Sequence, residues 1–408
     1  MRNLVFAVTF TCVLCSTSPS IAQTLYTSEH VYSINSSSKL EEFVWKQSFY
    51  GWTSLDVGSN STSAAPNSAI AGFPNPPDQY GANWYDFFYY VGANQHVYEI
   101  GWNMGVGSYE TADVTAEASS PLATSGTALT AFSNEPQAGQ VYPDRHVYYI
   151  SGTGSNLHIY ELYRNPNSRV WTYEDLTAAT GNKLAAAGSP LSSFTDSYGE
   201  AVFYLGQNGH VYQLNHASGW GDADLTAITG SALAVAGGPL TSFTDSYGEA
   251  VFYLGQNGHV YQLNWNHVSG WGHADLTTLT GSAVAAAGSP LTSFTDSYGE
   301  AVFYFGQNSH VYQLNWNHIN GWGHADITAI TGSALAATGS RLTSYGDSVG
   351  EAVFYSGPSN HLYQLNWNHV NGWGHADITA LTGQTLANAG SVLTSFTCKE
   401  DTIHPGCL

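Results

Sequence analysis

One segment rich in tryptophan, histidine and asparagine recurs along the chain. It reads HVYQLNWNHVSGWGHADLT at residues 259–277, and close copies occupy residues 310–328 and 361–379. An aromatic face covers the C–H patches of a sugar, while amides, imidazoles and carboxylates exchange hydrogen bonds with its hydroxyl groups. We therefore take three repeated sets as candidate sugar contacts. They are the tryptophans of the GW pair (Trp220, Trp271, Trp322, Trp373), the histidines two residues later (His273, His324, His375) and the glutamates of the EAVFY runs (Glu200, Glu249, Glu300, Glu351).

The same residue types also suit structural roles. The GW tryptophans can pack between sheets or contact a ligand, and so can the neighbouring tryptophans Trp265, Trp316 and Trp367. A second histidine pattern, HxY, persists in the divergent parts of the chain, which favours a role in strand or turn structure. Its histidines are His30, His96, His158, His210, His259, His310 and His361.

Catalysis needs one asymmetric arrangement of a base, a nucleophile or a metal, whereas this chain repeats the same polar residues. The sequence contains no HExxH, nucleophile-elbow, phosphate-loop or EF-hand pattern. The TDSYGE run at 195–200 favours a turn rather than a calcium loop. His267 and His273 have no third metal ligand at a suitable spacing. We expect a protein without catalysis, cofactor or metal.

The repeats predict the fold. Seven units are marked by HxY, and each full unit holds four short runs in the order TSF, AVFY, HVYQL and GW…DLT. The GQNG turn between the second and third runs is a hairpin signal. Four-stranded units of about 40 to 50 residues predict an all-β, seven-bladed β-propeller over residues 24–397. The spare TSF run at 394–396 would complete the first blade and close the ring.

Composition and charge limit the environment and the partners. The 408 residues include 43% hydrophobic and 10% charged residues, with a formal charge of −21. The electrostatic field of this negative charge disfavours binding to nucleic acid and to anionic membranes. Residues 1–23 resemble a cleaved signal peptide, so we expect a secreted protein, extracellular or periplasmic, without membrane insertion. Cys398 and Cys407 would then form a disulfide in the tail 398–408.

The runs xVFY, HVYxL and GW, with an Asn-Gly turn between the first two, resemble the fungal fucose-specific lectins and related tectonin-type propeller lectins. That resemblance implies sugar bound between blades by an arginine on the second strand, a glutamate on the third and a GW tryptophan. The arginine position falls at or beside Glu200 and Ala201, and the glutamate position falls on Gln213. The third unit has both residue types, as Arg145 and Glu161.

The sequence thus predicts a non-enzymatic, multivalent protein that binds glycans or glycoconjugates between blades. A scaffold that docks a basic protein is the first alternative. A polysaccharide lyase or hydrolase is the second, and it would use the divergent early residues Arg145, His146, Tyr148 or Glu161. The sequence specifies neither the sugar nor the oligomeric state.

Overall fold

The molecule is built of short antiparallel strands arranged as seven four-stranded sheets. This computed structural model describes residues 26–35, 37–46, 51–57, 62–65, 68–74, 86–103, 108–134, 140, 142–181, 183–346 and 350–400. The predicted signal peptide and Cys407 lie outside the described residues. No helix among the described residues is long or apolar enough to cross a bilayer.

The strands follow the chain blade by blade. Blade 1 contains β1 (Tyr26–Ile34), β2 (Leu40–Lys46) and β3 (Gly51–Asp56). Blade 2 contains β4 (Ile70–Pro74), β5 (Asp86–Val91), β6 (Val97–Asn103) and β7 (Ser108–Asp113). Blade 3 contains β8 (Leu129–Phe132), β9 (Arg145–Thr153), β10 (Asn156–Arg164) and β11 (Trp171–Asp175). Blade 4 contains β12 (Leu191–Asp196), β13 (Gly199–Leu205), β14 (Val211–His216) and β15 (Trp220–Asp224).

The last three blades keep the same order. Blade 5 contains β16 (Leu240–Asp245), β17 (Gly248–Leu254), β18 (Val260–Asn266) and β19 (Gly270–Asp275). Blade 6 contains β20 (Leu291–Asp296), β21 (Gly299–Phe305), β22 (Val311–Asn317) and β23 (Gly321–Asp326). Blade 7 contains β24 (Leu342–Gly346), β25 (Gly350–Ser356), β26 (Leu362–Asn368) and β27 (Gly372–Asp377). The final strand, β28 (Leu393–Glu400), pairs with β1.

The pairing of β28 with β1 completes blade 1, so the sheet order there is β28-β1-β2-β3. The predicted seven-bladed propeller and its closure by the C-terminal run are confirmed. Hydroxyl groups also join neighbouring inner strands. Thr343 Oγ1 lies 2.8 Å from Ser395 Oγ of β28, as Thr292 Oγ1 lies 2.8 Å from Ser344 Oγ one gap earlier. The closing strand therefore occupies the same place in the ring as the other inner strands.

Apolar side chains from facing sheets form one core cluster in each gap between blades. Between blades 5 and 6, Phe252 and Leu254 of β17 pack with Val302 and Tyr304 of β21. Successive residues of a strand point to opposite sheet faces, so each second strand supplies core residues to two gaps. This explains why the AVFY runs are apolar throughout, and why the blades stabilise one another.

A short helix follows the fourth strand of blades 2 to 7. The helices are α1 (Val114–Ala118), α2 (Leu176–Thr180), α3 (Leu225–Thr229), α4 (Leu276–Thr280), α5 (Ile327–Thr331) and α6 (Ile378–Thr382). In blade 5, Asp275 caps α4 by accepting from the Thr278 backbone N–H, and its carboxylate lies 2.8 Å from Nδ1 of His259. Equivalent His–Asp pairs involve His96, His158, His210, His310 and His361. The structural role expected for these HxY histidines is confirmed.

His30 is the exception among the HxY histidines. It lies on β1, the second strand of blade 1, opposite Phe396 of β28. By register it corresponds to Ala250, which lies opposite Phe243 in blade 5. The EHVYS run at 29–33 is thus the counterpart of EAVFY rather than of HVYQL, and using His30 to mark the third strand of the first unit was wrong.

Replacing Phe396 tests the closure of the ring. The Phe396 side chain is 7% exposed, and its ring lies near His30, Tyr32 and Phe88. We expect Phe396→Ala to lower the free energy of unfolding by roughly 3–5 kcal/mol, because it leaves a cavity where blades 1 and 2 meet. Urea unfolding measures the change. Val370→Ala, at a position that is 89% exposed, is the control and should change stability by about 0.5 kcal/mol or less.

Candidate functional site

Clefts open between neighbouring blades beside the turns that join strands one to two and three to four. The 6/7 cleft has a volume of about 540 Å³, and the 5/6 cleft has a volume of about 330 Å³. In the 6/7 cleft, blade 6 contributes Phe294, Asp296, Tyr298, Asn315 and Trp316, and blade 7 contributes Glu351, Trp367 and Trp373. The 5/6 cleft contains the equivalent residues one repeat earlier. Aromatic walls and polar groups therefore recur together.

A hydrogen bond between side chains crosses the floor of each of these clefts. Gln313 Nε2 on β22 donates to Glu351 on β25 of the next blade at 2.8 Å. The same bond joins Gln213 to Glu249 at 2.8 Å, Gln262 to Glu300 at 3.0 Å and Gln364 to Glu29 at 2.5 Å. We call this contact the inter-blade bond. It places one carboxylate beside a glutamine in each of four successive gaps.

These carboxylates are poorly solvated. Burial raises the pKa of Glu351 to about 7, the nearby charge of Asp296 adds to the rise, and the bond from Gln313 opposes it. The pKa values of Glu249 and Glu300 are each raised to about 7 for the same reasons, with Asp196 and Asp245 as the neighbouring acids. Each cleft therefore contains a carboxyl group that changes charge near neutral pH.

The GW tryptophans pack against the preceding blade and also line the clefts. Trp373 meets Phe303 of blade 6 edge-on, with ring centroids 6.1 Å apart, and Trp322 meets Phe252 in the same way. Both are only partly buried, and each contributes to a cleft wall. A GW tryptophan can therefore pack against the neighbouring blade and line a cleft at the same time, which are the two roles that the sequence left open.

Two tryptophans missed by the sequence analysis occupy the same structural position. Trp52 of β3 meets Phe354 of blade 7 edge-on, and Trp171 of β11 meets Tyr89 of blade 2 edge-on. Trp171 lies four residues before Asp175, as Trp271 lies before Asp275, so the spacing W-x-x-x-D-L-T could have identified it. Packing on the preceding blade therefore extends beyond the GW repeats.

A second aromatic cluster lies at the rim of the same clefts. The Tyr298 ring in the turn of blade 6 lies 5.8 Å from Trp367 and 4.2 Å from His369 of blade 7. Tyr247 with Trp316 and His318, and Tyr198 with Trp265 and His267, repeat this arrangement. Tyr298 is 45% exposed, so the cluster extends the aromatic wall into solvent.

Some predicted contacts lie elsewhere. His273, His324 and His375 are exposed on fourth strands and do not line the 5/6 or 6/7 cleft. Arg145 and Glu161, the two lectin-type residues that the sequence analysis found in the third unit, line different clefts. Arg145 pairs with Glu99 of blade 2 at 2.5 Å in the 2/3 cleft, whereas Glu161 lines the 3/4 cleft.

In the 2/3 cleft the donor and the acceptor of the inter-blade bond exchange places: the second strand donates and the third strand accepts. Arg145 takes the position of the second-strand glutamate, and Glu99 takes that of the glutamine. The Arg145 guanidinium also lies 3.6 Å from the centroid of the Phe87 ring. Arg164 and Arg169 line the same cleft of about 230 Å³, so three of the nine lysines and arginines of the chain line it.

The 3/4 cleft contains a histidine among carboxylates. Its volume is about 340 Å³, and His146, Glu161, Glu200 and Trp220 are among its lining residues. Burial opposes a charge on His146, but hydrogen bonds to Asp144 and Glu161, together with Glu200, raise its pKa to about 10. Burial also raises the pKa of Glu200. The 3/4 cleft therefore differs in charge from both the 2/3 and the 5/6 cleft.

Comparison with known proteins supports the fold. No family model and no curated protein matches the chain. AofleA from Arthrobotrys oligospora has a TM-score of 0.53 at 16% identity over 81% of this chain and 90% of its own. The fucose-specific lectin from Aleuria aurantia has a TM-score of 0.50 at 16% identity over 76% of this chain and 95% of its own. A putative 6-phosphogluconolactonase from Bacteroides uniformis has a TM-score of 0.50 at 11% identity over 93% of this chain and 100% of its own.

The raised pKa values predict how stability changes with pH. The pKa of Glu249, Glu300 and Glu351 is about 7 in the folded chain, against an ordinary value of 4.5 for a glutamate. The stabilisation from the protonated form is therefore complete below pH 4.5 and is lost as the pH rises through 7. We expect the free energy of unfolding to be smaller at pH 8 than at pH 5.5, by roughly 1–2 kcal/mol per site after allowing for partial exposure.

The triple variant Glu249→Gln, Glu300→Gln, Glu351→Gln should reduce that difference, because an amide retains an acceptor for the glutamine without titrating. Urea unfolding at the two pH values measures it. Glu174→Gln, at an exposed position, is the control. If stability depended on pH as strongly in the triple variant as in the wild type, the pH dependence could not come from these three glutamates.

Proposed function

We propose that the chain is a secreted, non-catalytic, multivalent carbohydrate-binding protein whose sugar sites are the clefts between blades 4 to 7. The observation that carries this proposal is the recurrence of one chemical set in successive gaps. Each of the 5/6 and 6/7 clefts joins tryptophan faces to asparagine, aspartate and glutamate groups. Aromatic faces and paired polar groups are what a sugar ring requires.

Repetition is the second support. The inter-blade bond recurs at the 4/5, 5/6, 6/7 and 7/1 gaps, so four gaps present a carboxylate and an amide in the same arrangement. Several weak sites on one rigid ring give avidity for a surface that carries many copies of a sugar. The propeller neighbours include the fucose-specific lectin from Aleuria aurantia, which agrees with this class.

We propose that the ligand is a neutral sugar. In the last four blades the second-strand position is occupied by Glu200, Glu249, Glu300 and Glu351, where the fungal fucose-specific lectins have an arginine. A carboxylate accepts from sugar hydroxyls but repels an acidic sugar, because both are anionic. Recognition would therefore differ from the arginine-based pattern of those lectins.

The rim tryptophans provide the sharpest test. Trp265, Trp316 and Trp367 line the clefts but do not belong to the apolar core clusters, so their removal should leave the fold intact. We expect Trp265→Ala, Trp316→Ala, Trp367→Ala to reduce binding on a glycan array at least tenfold, because stacking is lost in several sites at once. Circular dichroism checks folding.

The matched control is His273→Ala, His324→Ala, His375→Ala, since these side chains are exposed and lie outside the 5/6 and 6/7 clefts. It should bind like the wild type. If the wild-type protein stays folded yet binds no glycan, or if the tryptophan variant binds fully, the proposal is wrong.

A further inference from the structure

The cleft between blades 2 and 3 differs in charge from the later clefts. Among the described residues, the linings of the 3/4, 5/6 and 6/7 clefts contain acids but no lysine or arginine. The lining of the 2/3 cleft contains Arg145, Arg164 and Arg169 against Glu99 and Glu110. The chain has a formal charge of −21 and only nine lysines and arginines, so three of them in one cleft make it a locally positive place on a negative protein.

Strand register shows which residues two of these arginines replace. Arg145 on β9 lies opposite Arg164 on β10, as Glu249 on β17 lies opposite Trp265 on β18. Blade 3 therefore has arginine at the position of the second-strand glutamate and also at that of the rim tryptophan. Like charges directly opposite each other destabilise an antiparallel pair. Two opposed arginines thus favour the presence of anions beside them.

The protein itself supplies an anion for only one of the two. Arg145 lies 2.5 Å from Glu99 Oε2, which also accepts from the Tyr89 hydroxyl at 2.7 Å, and its side chain is 10% exposed. Arg164 and Arg169 form no ion pair with a carboxylate of the described residues, although both line the cleft. Their two positive charges are therefore available to a ligand.

The turn between β10 and β11 holds these two arginines together. Arg164 donates from Nε to the carbonyl of Arg169 at 3.4 Å, and the Arg169 guanidinium lies 4.9 Å from the centroid of the Tyr142 ring. Arg169 has a φ of 58°, whereas the left-handed residue of the corresponding turn in blade 5 is Gly270. That conformation is uncommon for a residue other than glycine. An arginine is thus retained at a position where the backbone favours glycine.

The opposite wall of the cleft keeps the aromatic group of the other clefts. Trp102 follows Glu99 by three residues on β6, as Trp265 follows Gln262 on β18, so it holds the rim-tryptophan position of blade 2. Its half-buried ring meets Tyr109 edge-on, with centroids 5.1 Å apart, and lines the cleft. A face for the C–H groups of a sugar therefore lies across from the arginines.

We propose that the 2/3 cleft binds an acidic sugar, one that carries a carboxylate or a sulfate group. Trp102 packs on the sugar ring, and Arg164 and Arg169 bind the anionic group. Guanidinium groups recognise such oxyanions by paired charge-assisted hydrogen bonds. The volume of about 230 Å³ is below the roughly 300–1,000 Å³ of most ligand pockets, so the cleft accommodates one terminal sugar residue. This inference shares with the proposed function only the placement of sugar between blades, because the acidic clefts of blades 4 to 7 repel such a ligand.

A comparison of acidic and neutral glycans tests this inference on the full chain. An array presents glycans that end in a uronic acid, a sialic acid or a sulfated sugar, each beside the neutral glycan of the same linkage, and calorimetry measures the affinity of the best acidic glycan. We expect it to bind at one site per chain, at least tenfold more tightly than its neutral counterpart. The preferred group distinguishes a carboxylate from a sulfate.

The double variant Arg164→Gln, Arg169→Gln should weaken binding of the acidic glycan at least tenfold. Its matched control is Lys183→Gln, Arg341→Gln, which changes the net charge equally at exposed positions outside the cleft and should bind like the wild type. Trp102→Ala should also weaken binding, because a sugar loses its stacking partner while a bare anion does not.

The inference is overturned if no acidic glycan binds better than its neutral counterpart, if the double variant binds like its control, or if Trp102→Ala has no effect. The triple variant Trp265→Ala, Trp316→Ala, Trp367→Ala separates the two proposals, since it should lose neutral glycans and keep the acidic one. Neutral binding without acidic binding would leave the proposed function standing and remove only this inference.

Discussion

The structure depends on one contact, the side-chain bond that joins the third strand of one blade to the second strand of the next in four successive gaps. Gln213, Gln262, Gln313 and Gln364 are 5–6% exposed, so each amide needs a partner within the protein. Leaving such a group unsatisfied costs roughly 1–3 kcal/mol. The bond therefore constrains both residues of these four gaps together and determines which charges can lie there.

The divergent gaps follow the same constraint. In the 2/3 gap both partners change, to Glu99 and Arg145, and the ion pair remains satisfied. In the 3/4 gap the glutamine position becomes Glu161, and His146 appears beside it where blades 4 to 7 have alanine. The near-identical gaps form a set suited to multivalent binding, whereas these two gaps have distinct charges suited to distinct ligands.

The fold could be predicted because its signals are local. Alternating short runs, Asn-Gly turns and a repeat of about fifty residues depend only on neighbouring residues, and the spare run at the C-terminus indicated the closure. Contacts between blades could not be predicted in this way. His30 resembles a third-strand histidine in its HVY letters, and only its register with β28 shows that it lies on a second strand. Arg145 and Glu161 are close in sequence, but Arg145 pairs with Glu99 of blade 2, whereas Glu161 lines the cleft on the opposite side, towards blade 4.

The number of sugar sites tests the central claim most directly. Native mass spectrometry of the purified protein, titrated with the monosaccharide or short glycan that binds best, counts bound ligands per chain. The same bond and the same aromatic walls recur at several gaps. We therefore expect at least two ligands to add in succession with similar affinity. Saturation at a single ligand would contradict the account, because one site cannot be a property of the repeated gap.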